Sequence, residues 1–144
     1  MKYNEDDNKY EFTKEVQNMK KISLVVLPAI TIALEILPLG AVCTFAPSPT
    51  ERVKETFSYF STIPFGYANF APLITAVLTV VILLLSLISL KKNGVFNSMF
   101  VLSIITAVIS LLPLVYGLSY FTFVGALITM ALVTECILIK MQQK

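Results

Sequence analysis

The segment Phe57–Leu90, FSYFSTIPFGYANFAPLITAVLTVVILLLSLISL, decides the fold, and Lys91-Lys92 end it. Its first part is crowded with aromatics (Phe57, Tyr59, Phe60, Phe65, Tyr67 and Phe70) and leads through Pro72 into a charge-free run from Leu73 to Leu90. As a helix rising roughly 1.5 Å per residue, that run crosses most of a bilayer's apolar thickness. Aromatics at one end of an apolar span and lysines at the other are the usual anchors of a membrane helix.

The rest of the chain repeats this character. Of its 144 residues 56% are hydrophobic and only 14% are charged, where a soluble domain carries about a quarter. With a mean hydropathy of +0.79, the composition points to lipid as the solvent. The net charge of +2 implies no nucleic-acid partner. There is no histidine, which removes the usual neutral-pH base and the commonest metal ligand.

Outward from the opening stretch, the pattern predicts four spans at about 22–42, 73–90, 98–116 and 119–139, preceded by a polar tail over 1–21. Residues 22–144 then form one transmembrane domain with a single sizeable outer loop, 43–72. Pro113, Gly117 and Ser119 separate the last two spans, with Ser119 placed to cap the fourth helix. In the tail, Phe12, Val16 and Met19 recur at helical spacing and form a weak amphipathic stripe. In the loop, Ser48-Pro49-Thr50-Glu51 has the form of a capping box and predicts a short amphipathic helix carrying Val53, Phe57 and Phe60. Ile63-Pro64-Phe65-Gly66-Tyr67 reads as a turn. The expected fold class is all-α: an integral membrane four-helix bundle with that interfacial helix in its first outer loop.

Lysine placement gives the threading. With the amino terminus inside, Lys2, Lys9, Lys14, Lys20, Lys21, Lys91, Lys92, Lys140 and Lys144 are cytoplasmic, and only Arg52 and Lys54 lie outside. That bias places both termini in the cytoplasm of a plasma-membrane protein. Cys43 and Cys136 then fall on opposite sides, so no disulfide joins them.

Each span carries small, polar or kinking residues along one face: Pro28, Thr31, Glu35 and Pro38; Thr75, Thr79, Ser86 and Ser89; Ser103, Thr106, Ser110, Pro113 and Gly117; Thr122, Gly125, Thr129 and Cys136. Such faces are where membrane helices pack, and packing is favoured here over a solute pathway. Glu35 is the sharpest residue, because a carboxylate about two turns inside a span is costly. Two readings stay open: a proton- or cation-linked site with Thr31 and Ser110 as partners, or a structural carboxyl that bonds across to a hydroxyl or reaches the outer headgroup zone. Glu135 lies about one turn from the inner end and is expected to snorkel towards water beside Lys140. Phe57, Tyr59, Phe60, Phe65, Tyr67 and Phe70 are the candidate outer-loop contacts with a partner or with lipid.

Neither a phosphate-binding glycine loop nor a zincin, hydrolase or cysteine-cluster motif is present, so no catalytic residue, metal site or cofactor is assigned. The Tyr59-Phe60-Ser61 and Pro64–Phe70 segments leading into the second span resemble small uncharacterised four-span integral membrane proteins of low-GC Gram-positive bacteria, a likeness that implies no activity. A glutamate in the first of four spans is also similar to the small multidrug-resistance transporters, though the long aromatic loop departs from them. The function expected is a non-enzymatic, partner-binding or accessory membrane component. The alternative is a small proton- or cation-linked transporter using Glu35 in a dimer. The implied partners are the bilayer, a second copy of the chain or another membrane protein.

Overall fold

The computed structural model describes residues 5–62 and 70–143. Four helices dominate: α1 (Glu5–Ile36), α2 (Ala71–Ser89), α3 (Phe96–Ser110) and α4 (Phe123–Gln142). Two short strands, β1 (Ala41–Phe45) and β2 (Val53–Phe57), form an antiparallel hairpin between α1 and α2. Among the described residues, three stretches are long and apolar enough to cross a membrane: Ala71–Ser89, Phe96–Tyr116 and Phe123–Gln142. The second of these is α3 extended by a 3-10 turn over Leu112–Tyr116.

Helix α2 matches its expected span closely. Its run of Leu, Ile and Val has no breaker, and Pro72 sits in the first turn, where a missing N–H costs nothing. The other boundaries move. Helix α1 begins inside the polar tail and continues through Lys20-Lys21 into the apolar stretch, with Pro28 inside it. It ends at Ile36, six residues short of the expected boundary at Val42, because Leu37–Gly40 turn and Ala41–Phe45 pair as a strand. Helix α4 starts at Phe123, and its cap is Thr122, not Ser119. The Thr122 Oγ1 accepts from the Gly125 N–H at 2.9 Å and donates to the Gly40 carbonyl at 2.9 Å, tying the start of α4 to the turn after α1. Ser119 lies in a separate 3-10 turn, Leu118–Tyr120. Gly117 links the two turns at φ 121°, a conformation that a side chain would strain.

The all-α expectation is corrected by the hairpin. The Ser48 Oγ does accept from the Glu51 N–H at 3.1 Å, the bond a capping box needs, yet a strand follows where the interfacial helix was expected. Val53 and Thr56 are β-branched, and Ala41–Phe45 supply a partner strand in the register Ala41↔Phe57 to Phe45↔Val53. Phe45 and Phe57 stack edge to face across the pair at 6.0 Å. The hairpin is held onto the α3–α4 connection by a bridge between Ala41 and Phe121 and by a 3.0 Å bond between the Thr44 and Tyr120 hydroxyls. The expected turn at Ile63–Tyr67 lies outside the described residues.

The helices pack in a ring, α1 against α2 and α4, and α3 against α2 and α4. Two apolar clusters fill it. One, near the hairpin, holds Tyr59, Ala76, Ala107, Ile128 and Leu132; the other, at the far end, holds Leu24, Phe96, Met99 and Ile139. The ring is otherwise inside out. Thr75, Thr79, Ser86, Ser89, Ser103, Thr106 and Ser110 are all buried, while Val77, Leu84, Val101, Val108, Met130 and Ile137 point outward.

Candidate functional site

Glu35, expected to stand with Thr31 and Ser110, is bonded instead to a hydroxyl of α2. Glu35 lies one residue before the end of α1 and is fully buried. Its Oε1 accepts a 2.9 Å hydrogen bond from the Thr79 hydroxyl of α2. Its Oε2 has no partner among the described residues. Thr31 and Ser110, the expected partners, are committed elsewhere. The Thr31 hydroxyl donates to the Leu27 carbonyl at 3.0 Å, and Ser110 bonds the Ala107 carbonyl at 2.8 Å and the Thr129 hydroxyl at 3.0 Å. Thr79 was legible as part of the α2 stripe; its pairing with Glu35 depends on which helices are neighbours, and sequence spacing does not state that.

The remaining stripe residues are buried as their spacing predicts, except that Pro38 is exposed and Gly117, Thr122 and Cys136 are only half buried. Apart from Thr79, whose single proton lies 2.9 Å from both the Glu35 carboxylate and the Thr75 carbonyl as acceptors, the buried stripe hydroxyls turn their protons onto carbonyls of their own helices, as in Thr75 to Ala71, Ser86 to Ile82, Ser103 to Met99 and Thr129 to Gly125. Small polar side chains bonded within their own helix let backbones approach closely without an unmet donor, which suits a packed interior.

Among the described aromatics before α2, Tyr59 is withdrawn from the surface. Tyr59 is only 2% exposed. Its N–H donates to the Glu35 carbonyl at 2.9 Å, which anchors it over the end of α1. Its ring sits so close to Gly40 that a Cβ there would lie 2.7 Å from a ring carbon, and its hydroxyl would lie 3.2 Å from a Cβ on Gly125. Burial, with the nearby Glu35 adding to it, pushes the Tyr59 phenol above its ordinary range. Tyr59 is therefore a plug between α1 and α4 and is withdrawn from any outer contact. Phe60 packs on the same cluster, Phe57 is half buried, and Phe70 stays exposed. Phe65 and Tyr67 lie outside the described residues.

Glu135 overturns the snorkelling expectation. It is fully buried on the inner face of α4, in line with Ile128, Leu132 and Ile139. Neither carboxyl oxygen has a hydrogen-bond partner among the described residues. Lys140 is not beside it; its ammonium lies over the Phe100 ring, 4.8 Å from the centroid. Glu135 belongs to the interior because 128, 132, 135 and 139 step around α4 in threes and fours. Cys43 and Cys136 are free thiols, and Cys43 is buried in the hairpin.

Comparison of the chain with protein-family models, with curated proteins and with solved structures finds no match. The reading of the site rests on its own geometry.

Proposed function

We propose that this chain is a multi-pass protein of the cell membrane, a four-helix bundle with both termini cytoplasmic, that binds another membrane protein or a second copy of itself and carries out no chemistry. The observation behind this reading is the inverted packing. Hydroxyls closed onto their own helices fill the interior, while Val, Leu and Ile cover the outside, an arrangement suited to lipid and costly in water. The lysine bias supports the cytoplasmic termini. A binding role is supported by the polar extension of α1, which carries Phe12 and Met19 exposed.

Photo-cross-linking from positions 12 and 19 in intact membranes tests the role. A discrete adduct of fixed mass at both positions is the expected result. A monomer by light scattering in mild detergent, with no adduct from either position, would overturn it.

One observation favours the carrier reading as second: the unpartnered Oε2 of Glu35 beside Thr79. Buried carboxyls of this kind recur at proton and ion pathways. Reconstituted vesicles in which no solute gradient drives a pH change, with Glu35→Gln behaving like the wild type, would remove it.

A further inference from the structure

We infer that Glu135 is the centre of a cation-exchange site inside the bundle, where the carboxyl releases a proton and takes a sodium ion in its place. The inference rests on the four-span reading and on neither of the roles proposed above.

Glu135 has no exposed surface and no partner for either oxygen among the described residues. Its surroundings follow from the helix register. Antiparallel α3 and α4 are tied at Ser110–Thr129 and again where the Gln143 Nε2 donates to the Phe96 carbonyl at 3.2 Å. Between these ties Glu135 comes within one residue of the level of Ser103. Leu24 and Ile139 share the far cluster, and Gly40 is bonded to Thr122, so Glu135 also comes level with Pro28 of α1. Counting from Glu35–Thr79, Pro28 is in turn level with Ser86. Pro28, Ser86 and Ser103 are all buried.

This layer is rich in oxygen and poor in protons to share. The Ser86 and Ser103 hydroxyls spend theirs on the Ile82 and Met99 carbonyls at 2.9 and 2.8 Å. Pro28 has no N–H to give the Leu24 carbonyl one turn back. At about one level of the bundle, then, four helices carry oxygens with no proton to offer, and the carboxyl among them is unpaired on both oxygens among the described residues. Hard oxygen donors of this kind suit a small cation. In the exchange the carboxyl O–H bond breaks, the proton leaves to water, and sodium is held by both carboxylate oxygens, so charge is conserved.

The charged and titratable groups nearest the layer are Lys21 and Glu35 on α1 and Cys136 and Lys140 on α4; α2 and α3 contribute none. At the end opposite the hairpin, a cavity of about 390 Å³ is lined by Gln17, Lys21, Phe96, Asn97, Gln142 and Gln143. Phe96 also belongs to the cluster of Leu24, Met99 and Ile139, and Met99 is the kind of unbranched side chain that swings aside readily.

Dicyclohexylcarbodiimide, which reacts with a protonated carboxyl in an apolar site, is the probe. The purified full-length protein is labelled in sodium chloride or in choline chloride at equal ionic strength, and peptide mass mapping reads the adduct at Glu135. The expected result is labelling at Glu135 that sodium slows in a concentration-dependent way. The double variant Ser86→Ala with Ser103→Ala should still be labelled but should lose the sodium protection, which a merely structural role for the serines would not do. Equal labelling of the wild type in sodium and choline, or none at Glu135 in either, would overturn the site. Failure of the four-span reading would appear instead in the sidedness of labelling at Lys54 and Lys91.

Discussion

Glu35 and Glu135 differ in how much of their burial is compensated. Glu35 keeps one hydroxyl, from Thr79. Thr79→Val keeps the shape and removes that donor, so both carboxyl oxygens would then be unpaired. The expected cost is about 1–3 kcal/mol, the penalty for stranding a buried polar group, read as a lower unfolding midpoint in detergent. Thr31→Val, by contrast, removes only a bond to its own helix and should shift the midpoint far less; equal shifts would refute the assigned pairing. The second residue-scale prediction concerns Gly40. Gly40→Ala puts a methyl 2.7–2.8 Å from two Tyr59 ring carbons, and overpacking of that kind costs about 1–3 kcal/mol. Combined with Tyr59→Ala, the alanine should add almost nothing, since the two positions share one contact. Additive losses would mean the ring is not seated there.

The hairpin is where local signals and tertiary context disagree. Ser48-Pro49-Thr50-Glu51 carries the composition of a helix start, and the Ser48 bond to the Glu51 N–H is made. Five residues of pairing with Ala41–Phe45 nevertheless take the segment into a strand. The register puts Cys43 opposite Glu55, within the usual reach of a cross-strand disulfide. Glu55→Cys should therefore oxidise to a bond with Cys43, while Thr56→Cys, which points to the other face, should not. Burial pushes the Cys43 thiol up, so the oxidation is run at alkaline pH. Mass mapping under non-reducing conditions decides it, and a disulfide from position 56 with none from position 55 would contradict the register.

At the scale of the whole molecule, the prediction is sidedness. In a background lacking Cys43 and Cys136, cysteines at Lys91 and Lys140 should react with an impermeant maleimide only after the membrane is opened, and one at Lys54 should react before. Lys91 and Lys140 on opposite sides would break the four-span arrangement. Much of this protein was legible without coordinates. Leu73–Leu90 declared a span, and the Thr and Ser spacing declared which faces turn inward, because lipid selects apolar surface and a helix repeats every 3.6 residues. What the chain could not state was which face meets which. Thr79 as the partner of Glu35, Tyr59 as a plug over Gly40, the pairing that turns 53–57 into a strand and the burial of Glu135 all join residues far apart in sequence. Helical periodicity assigns a residue to a face of its own helix. Only the packing of the four helices decides whether that face is matched by a donor, by an apolar side chain or by nothing.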